Sequence, residues 1–405
     1  MKQPKTYLLF LIFGIGIGLF LINQTSCRQE HEKGSKAEDP AFSETELIAL
    51  RTNEAPVLDG KIDRVWNNAQ KLVGKAIVPD PGDDLFKGYV NNTYDFTMRA
   101  LYDAGHIYFL IEWRDSSMDL SRQTWYFDPG PKKWMQESRY PVFDTNGLKI
   151  RDAFYEDKLA FLWNVGGSVS EWNHTTCLAS CHTGLGAENG FARHFTNAPG
   201  ERIDMWHWKS VRNGLINGQA DDQFQDETQP NGRKSDSRVS GGYTDNIQEL
   251  VVQGDTIQFP KYFIPNRMNY YWISREEIDA GVAKQITSAD ENGVLYYEGG
   301  SLDPNLNTGF QRNGGRVGAK GIPSVYLEKW TGNRGDLLVS ARHTGSGWIM
   351  ELQRQLKTND SEKQDVDFSS LEDQAFGISI FDNAALAHAI CANLRLKFEK
   401  ETGMR

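Results

Sequence analysis

Several things are scarce in this chain, and each scarcity excludes something. No long basic run occurs among its 405 residues, and 44 basic residues face 54 acidic ones for a formal net charge of -10. That balance argues against nucleic acid as a partner. The GxSxG elbow, the P-loop and the HExxH helix are missing, so the sequence shows no catalytic constellation. No internal repeat is evident. Cysteine is held to four residues, Cys27, Cys177, Cys181 and Cys391, too few for a disulfide scaffold.

What is plentiful points to strands. The 38 Gly, 11 Trp and 15 Tyr residues suit strands joined by turns better than a helical bundle. Apolar and polar residues alternate over Phe96 to Asp103, and His106 to Trp113 is a second β-rich run. The two read as a hairpin turning at Asp103-Ala104-Gly105. Lys158 to Val165, Gly347 to Leu356, Phe376 to Phe381 and Cys391 to Phe398 are further strand candidates. Lys61 to Lys71 places Ile62, Val65, Trp66 and Ala69 at helical spacing. The pattern predicts a mainly β fold, an antiparallel β-sandwich with long loop insertions and a few short helices. The insertions are the polar stretches Gly218 to Asn246 and Ser288 to Ala319.

The N-terminus reads as an export signal. Lys2 and Lys5 precede an apolar run from Tyr7 to Ile22, shorter than the about 20 residues a bilayer span needs. Thr25-Ser26-Cys27 resembles a lipobox, with Gln24 where such motifs usually carry Leu. Cys27 would then be lipidated, and the alternative is an uncleaved signal anchor. The expected division is a signal peptide over 1–26, a flexible tether over 27–43 and one domain over 44–405. The expected location is the cell envelope, as a periplasm-facing or outer-membrane lipoprotein. Cys391, alone in an apolar stretch, reads as a buried thiol.

The most informative stretch is Cys177-Leu178-Ala179-Ser180-Cys181-His182. It is one residue longer than the Cys-x-x-Cys-His pattern of c-type haem attachment. Two thiols can add to the two vinyl groups of a haem, and the adjacent imidazole can reach the iron. A disulfide between Cys177 and Cys181 is the competing reading in an exported compartment, as is a plain metal site. The disulfide does not call for His182 beside it.

Several segments carry a family resemblance. Val57-Leu58-Asp59-Gly60 with Trp66 resembles the opening of carbohydrate-binding module family 9-like sandwiches and their haem-binding relatives. Leu101-Tyr102-Asp103, Ile107-Tyr108-Phe109 and Trp113-Arg114-Asp115 resemble the next hairpin. Asp204-Met205-Trp206-His207-Trp208-Lys209, Gly218 and Asp221-Asp222 resemble the ethylbenzene dehydrogenase-related haem-binding domain. Gly347-Trp348, Arg354 and Ile380-Phe381-Asp382-Asn383 are similar to its closing strands. In that family the γ subunit of ethylbenzene dehydrogenase holds a haem b between Met and Lys and takes electrons from a molybdenum subunit. Here Cys177, Cys181 and His182 fall where the Met would, and His388 falls where the Lys would.

The resemblance therefore implies one covalent haem c, with His182 and His388 as iron ligands and one-electron transfer to an unknown redox partner protein as the role. His207 is the rival to His388. His174 and His194 rank below both, and His106 and His343 are expected to face solvent. Trp206, with Trp163, Trp172 and Trp208, would wall the haem or fill the sandwich core. Lys209 would meet a propionate or a carboxylate. Two other roles stay open, a carbohydrate-binding lipoprotein without haem and an electron-relay subunit of a molybdenum oxidoreductase.

Overall fold

The computed structural model describes residues 42–186, 189–236, 240–267, 270–311 and 321–399. Cys27 and the signal-like segment lie outside the described residues. Among these, no helix is long and apolar enough to cross a membrane.

Thirteen strands form one sheet: β1 (Phe42–Ser43), β2 (Glu46–Arg51), β3 (Lys71–Ile77), β4 (Thr93–Tyr102), β5 (His106–Arg114), β6 (Lys158–Asn164), β7 (Ile203–Lys209), β8 (Asp221–Gln225), β9 (Arg233–Ser235), β10 (Leu338–His343), β11 (Gly347–Gln355), β12 (Gln374–Phe381) and β13 (Ala389–Phe398). Their order is β9-β8-β7-β6-β12-β13-β2-β4-β5-β11-β10, with β3 pairing β1, β4 and β13. The pairing is antiparallel except where β2 joins β13 and β4, and where β1 joins β3. The sheet folds over on itself. Phe109 of β5 meets Phe161 of β6 at 5.7 Å between ring centroids, and Trp348 of β11 meets Trp208 of β7 at 5.1 Å. Two layers thus enclose one aromatic core, and the expected sandwich is what the chain adopts.

The hairpin expected around Asp103 forms in register, Phe96 opposite Trp113 and Tyr102 opposite Ile107. Asp103 Oδ1 accepts from the N–H groups of Gly105 and His106, both at 2.7 Å, which closes the turn. The helix expected over Lys61 to Lys71 shrinks to a 3₁₀ turn, Arg64–Asn68, that buries Trp66 and leaves Ile62 exposed. Buried Glu351 sets this geometry. It accepts from Trp66 Nε1 at 3.0 Å and from the backbone of Asp59 and Gly60 at 3.1 and 3.0 Å. Gly60 supplies the left-handed φ of +75° that the turn needs. The Asp-Gly-to-Trp opening is a clasp around one buried carboxylate.

Neither polar stretch is a plain loop insertion. The first contains β8, a fully buried strand of the main sheet with the sequence Asp-Asp-Gln-Phe-Gln. Its second part, Ser240–Asp245, pairs with Val325–Thr331. The second stretch contributes Leu295–Tyr297 and Gly300–Leu302 to a small four-stranded sheet with Tyr262–Phe263 and Lys284–Ala289. That sheet has its own core of Trp125, Phe127, Trp134, Phe263, Ile286 and Leu295. Residues 312–320 lie outside the described residues.

Candidate functional site

β6 and β7 are buried along their whole length, so both faces of this part of the sheet are covered. Successive side chains of a strand point to opposite faces. Leu159, Phe161, Trp163, Trp206 and Trp208 enter the sandwich core. Lys158, Ala160, Leu162, Met205, His207 and Lys209 face the other way and line a cavity of about 250 Å³. The outer face of this layer is thus covered, and the cover carries the cysteine motif.

The motif is one helical turn. The Cys181 N–H donates to the Cys177 carbonyl at 2.9 Å, so the three intervening residues bring both thiols to the same side. Trp172 Nε1 donates to the Ala375 carbonyl at 2.9 Å and pins the turn to β12. Gly377 makes room for it, since a Cβ there would lie 3.2 Å from Thr176 Oγ1 and 3.5 Å from Cys177 Sγ. The pairing of β12 with β13 is irregular at that point. Cys177 and Cys181 are both buried and both free thiols. Burial pushes Cys177 up to about 12 and Cys181 up to about 11, so both remain protonated, and Cys181 Sγ donates to Gln225 Oε1 at 3.4 Å. Cys391 is also buried.

His182 and His388 are separated by 206 residues, yet their Nε2 atoms lie 3.2 Å apart. His388 Nδ1 donates to the Leu386 carbonyl at 2.7 Å, which fixes the tautomer and leaves Nε2 with its lone pair. His182 Nδ1 is buried without a hydrogen-bond partner. Burial pulls His388 down to about 4 and His182 well below its usual range, so both rings are neutral, the form that binds metal.

His207 lines the same cavity with both ring nitrogens unpartnered. It stacks on Phe381, whose other neighbour is His388, and Phe381 separates the two histidines. His194 reaches the cavity too, His174 is exposed, and His343 is half-buried with Nε2 3.1 Å from the Asp115 carbonyl oxygen.

The cavity is electropositive. Arg139, Lys158, Arg193, Lys209, Arg212 and Arg233 all border it. Two of these cations have buried carboxylate partners: Lys209 pairs with Asp221, which also takes Arg334, and Arg212 pairs with Glu156. Lys158, only 2% exposed, donates to the Ala385 carbonyl at 3.0 Å and sits 4.1 Å over the Phe381 ring. Desolvation drives its pKa well down, so an anion entering the cavity would restore the charge on this ammonium. Sequence reasoning misses Lys158 and Arg212. The one available signal is a lysine opening an otherwise apolar strand.

The residues fit a covalent haem better than a bare ion. Among the described residues, no three of Cys177, Cys181, His182 and His388 bring donor atoms within 4.8 Å of one another, so the sulfurs stand apart from the imidazole pair. Trp206 is a correction. It shares β7 with His207, but the alternation turns it into the core against Trp163 and Phe368, away from the cavity. Trp163 and Trp208 go the same way. Trp172 packs behind the cysteines in a small cluster with Leu162 and Met205.

A carbohydrate binding module of family 9 from Caldicellulosiruptor kristjanssonii, solved with glucose, aligns at 7% identity over 88% of this chain and 98% of its own, with a TM-score of 0.29. The same module solved with cellotriose aligns at 7% identity over 89% and 97%, with a TM-score of 0.28. Likeness at that level carries no argument about this chain. No curated protein matches it. The ethylbenzene dehydrogenase family model matches residues 63–390, a span that runs from the Trp66 clasp past His388 and contains every cavity residue named above. On that span, the chain belongs to the ethylbenzene dehydrogenase family.

Proposed function

We propose that this chain is an exported monohaem c-type cytochrome that transfers single electrons. The observation that carries the reading is the meeting of His182 and His388 at 3.2 Å beside two free thiols one turn apart, all on one cavity. Bound there, a haem with two imidazole ligands supplies reversible one-electron chemistry. The protein's own groups do the rest. Cys177 and Cys181 would hold the porphyrin through thioethers. His182 and His388, both neutral, would be its protein ligands. Lys158 and Arg233 would meet the carboxylates that a haem carries. Phe381 and Leu162 keep water from the ring. The lipobox-like segment at Cys27 or an uncleaved anchor would hold the protein at the envelope membrane. An acidic protein of this kind favours a redox partner with a basic docking face.

The test is to purify the protein after co-expression with a haem-attachment system and extract it with acidified organic solvent. The expected result is a reduced-minus-oxidised haem spectrum that stays with the polypeptide. Colourless protein, or haem that leaves with the solvent, overturns the reading. So does an intact mass showing Cys177 bonded to Cys181.

A further inference from the structure

The alternation that sends His207 outward sends its neighbours inward, and one group of them is not apolar. Asp204 of β7, Asp222 of β8 and Asp365 of the connection between β11 and β12 place carboxylate oxygens within 4.8 Å of one another. They are 0%, 0% and 6% exposed. Asp236, just after β9, is 1% exposed, and neither of its carboxylate oxygens has a hydrogen-bond partner. Its backbone N–H donates to the Asp222 carbonyl at 3.4 Å, which holds it beside the group. Both oxygens of Asp222 are likewise unpartnered.

The cation that meets the group is Arg354 of β11. Its Nη2 lies 3.5 Å from Asp204 Oδ2 and 3.3 Å from Asp365 Oδ1, while Nη1 donates to the Val366 carbonyl at 2.8 Å. Asp336 Oδ1 is a further buried oxygen without a partner, so the carboxyl groups here outnumber the one guanidinium. An ionised carboxylate left unpaired inside a protein costs several kcal/mol, on the order of the whole stability of a domain. Something must balance the remainder.

We propose that Asp204, Asp222, Asp236 and Asp365 form a structural calcium site inside the sandwich, on the face of the β7–β8 layer opposite the histidine cavity. The donors are all oxygen, which selects hard cations over zinc, copper or iron. Magnesium holds several of its waters, and carboxylates this deeply buried leave little access for a hydration shell. Calcium accepts six to eight oxygens at flexible geometry, with carboxylates from separate strands and loops. The ligands come from β7, β8, the segment after β9 and the β11–β12 connection, so the ion would tie the edge of one layer to a strand connection of the other. This site is independent of any haem.

The experiment uses the purified full chain. The protein is equilibrated with calcium and magnesium, desalted and analysed by plasma mass spectrometry, then melted with and without a calcium chelator. The expected result is about one calcium per chain, a melting temperature that falls with chelator, and recovery on adding calcium. Asp222→Asn is expected to weaken calcium binding by more than about tenfold and to make the melting temperature insensitive to chelator. Retention of magnesium instead, or neither ion with a melt unmoved by chelator, overturns the proposal. So does an Asp222→Asn protein at least as stable as the parent in calcium, because relieving repulsion in an ion-free cluster gives that sign. Should Asp222→Asn fail to fold, the chelator melt of the parent protein decides alone.

Discussion

His388 and His207 line one cavity only a phenylalanine apart, and their surroundings give them different jobs. His388 has its Nδ1 proton committed to Leu386 and its Nε2 aimed at His182. His207 has neither constraint. Replacing His388 by Ala should turn a low-spin optical spectrum towards high-spin, while His207→Ala leaves it low-spin. The opposite pair of spectra would make His207 the ligand. Asp115 offers a separate test of burial. It is 3% exposed, and burial together with Asp382 pushes its pKa from 3.8 up to about 7. The folded chain therefore keeps a proton that the unfolded chain releases above about pH 4. The stability this group contributes is fully present below that pH and is lost as pH rises through 7. Relative to Asp115→Asn, the wild-type protein should lose stability between about pH 4 and pH 7, at up to about 1.4 kcal/mol for each step of one in pH. Urea unfolding of both proteins across that range measures it, and a constant difference would show that Asp115 titrates normally.

At the level of elements, the β6–β7 pair serves two compartments at once. Its inward residues, Phe161, Trp163, Trp206 and Trp208, hold the sandwich shut, and its outward residues build the cavity. Trp206→Ala should cost about 3–5 kcal/mol of unfolding free energy by denaturant titration, and it should leave the proposed haem ligands His182 and His388 unchanged in the folded fraction. Gly377→Leu works from the other side. Its side chain would strike Thr176 and Cys177, so it should reduce covalent haem attachment more than it reduces stability. Equal haem content in the variant and the parent would remove Gly377 from the account. These elements were unequally legible. The β4–β5 hairpin and strands β6, β11, β12 and β13 announce themselves by runs of apolar residues with a turn signal between or around them. β8 does not, because its Asp-Asp-Gln-Phe-Gln sequence reads as a loop. It is a strand because buried partners, Lys209 and Arg334 for Asp221, wait for it in the fold.

The whole molecule has an acidic balance and a basic cavity. The net charge of -10 acts at long range, whereas the cavity cations act on what enters it. Electron exchange with a basic redox protein should slow by about tenfold or more between low and physiological ionic strength, as stopped-flow mixing would show. A rate indifferent to salt would argue against an acidic docking face. Taken alone, the sequence determined the β class, the close spacing of Cys177 and Cys181 with His182 beside them, and the hairpin that turns at Asp103-Ala104-Gly105, because these depend on neighbours a few residues apart. The facing of His182 by His388, the inward turn of Trp206, the cations on the cavity and the gathering of Asp204, Asp222, Asp236 and Asp365 were decided by tertiary structure alone. Each joins segments far apart in the chain, and which face of a strand becomes core depends on what packs against it.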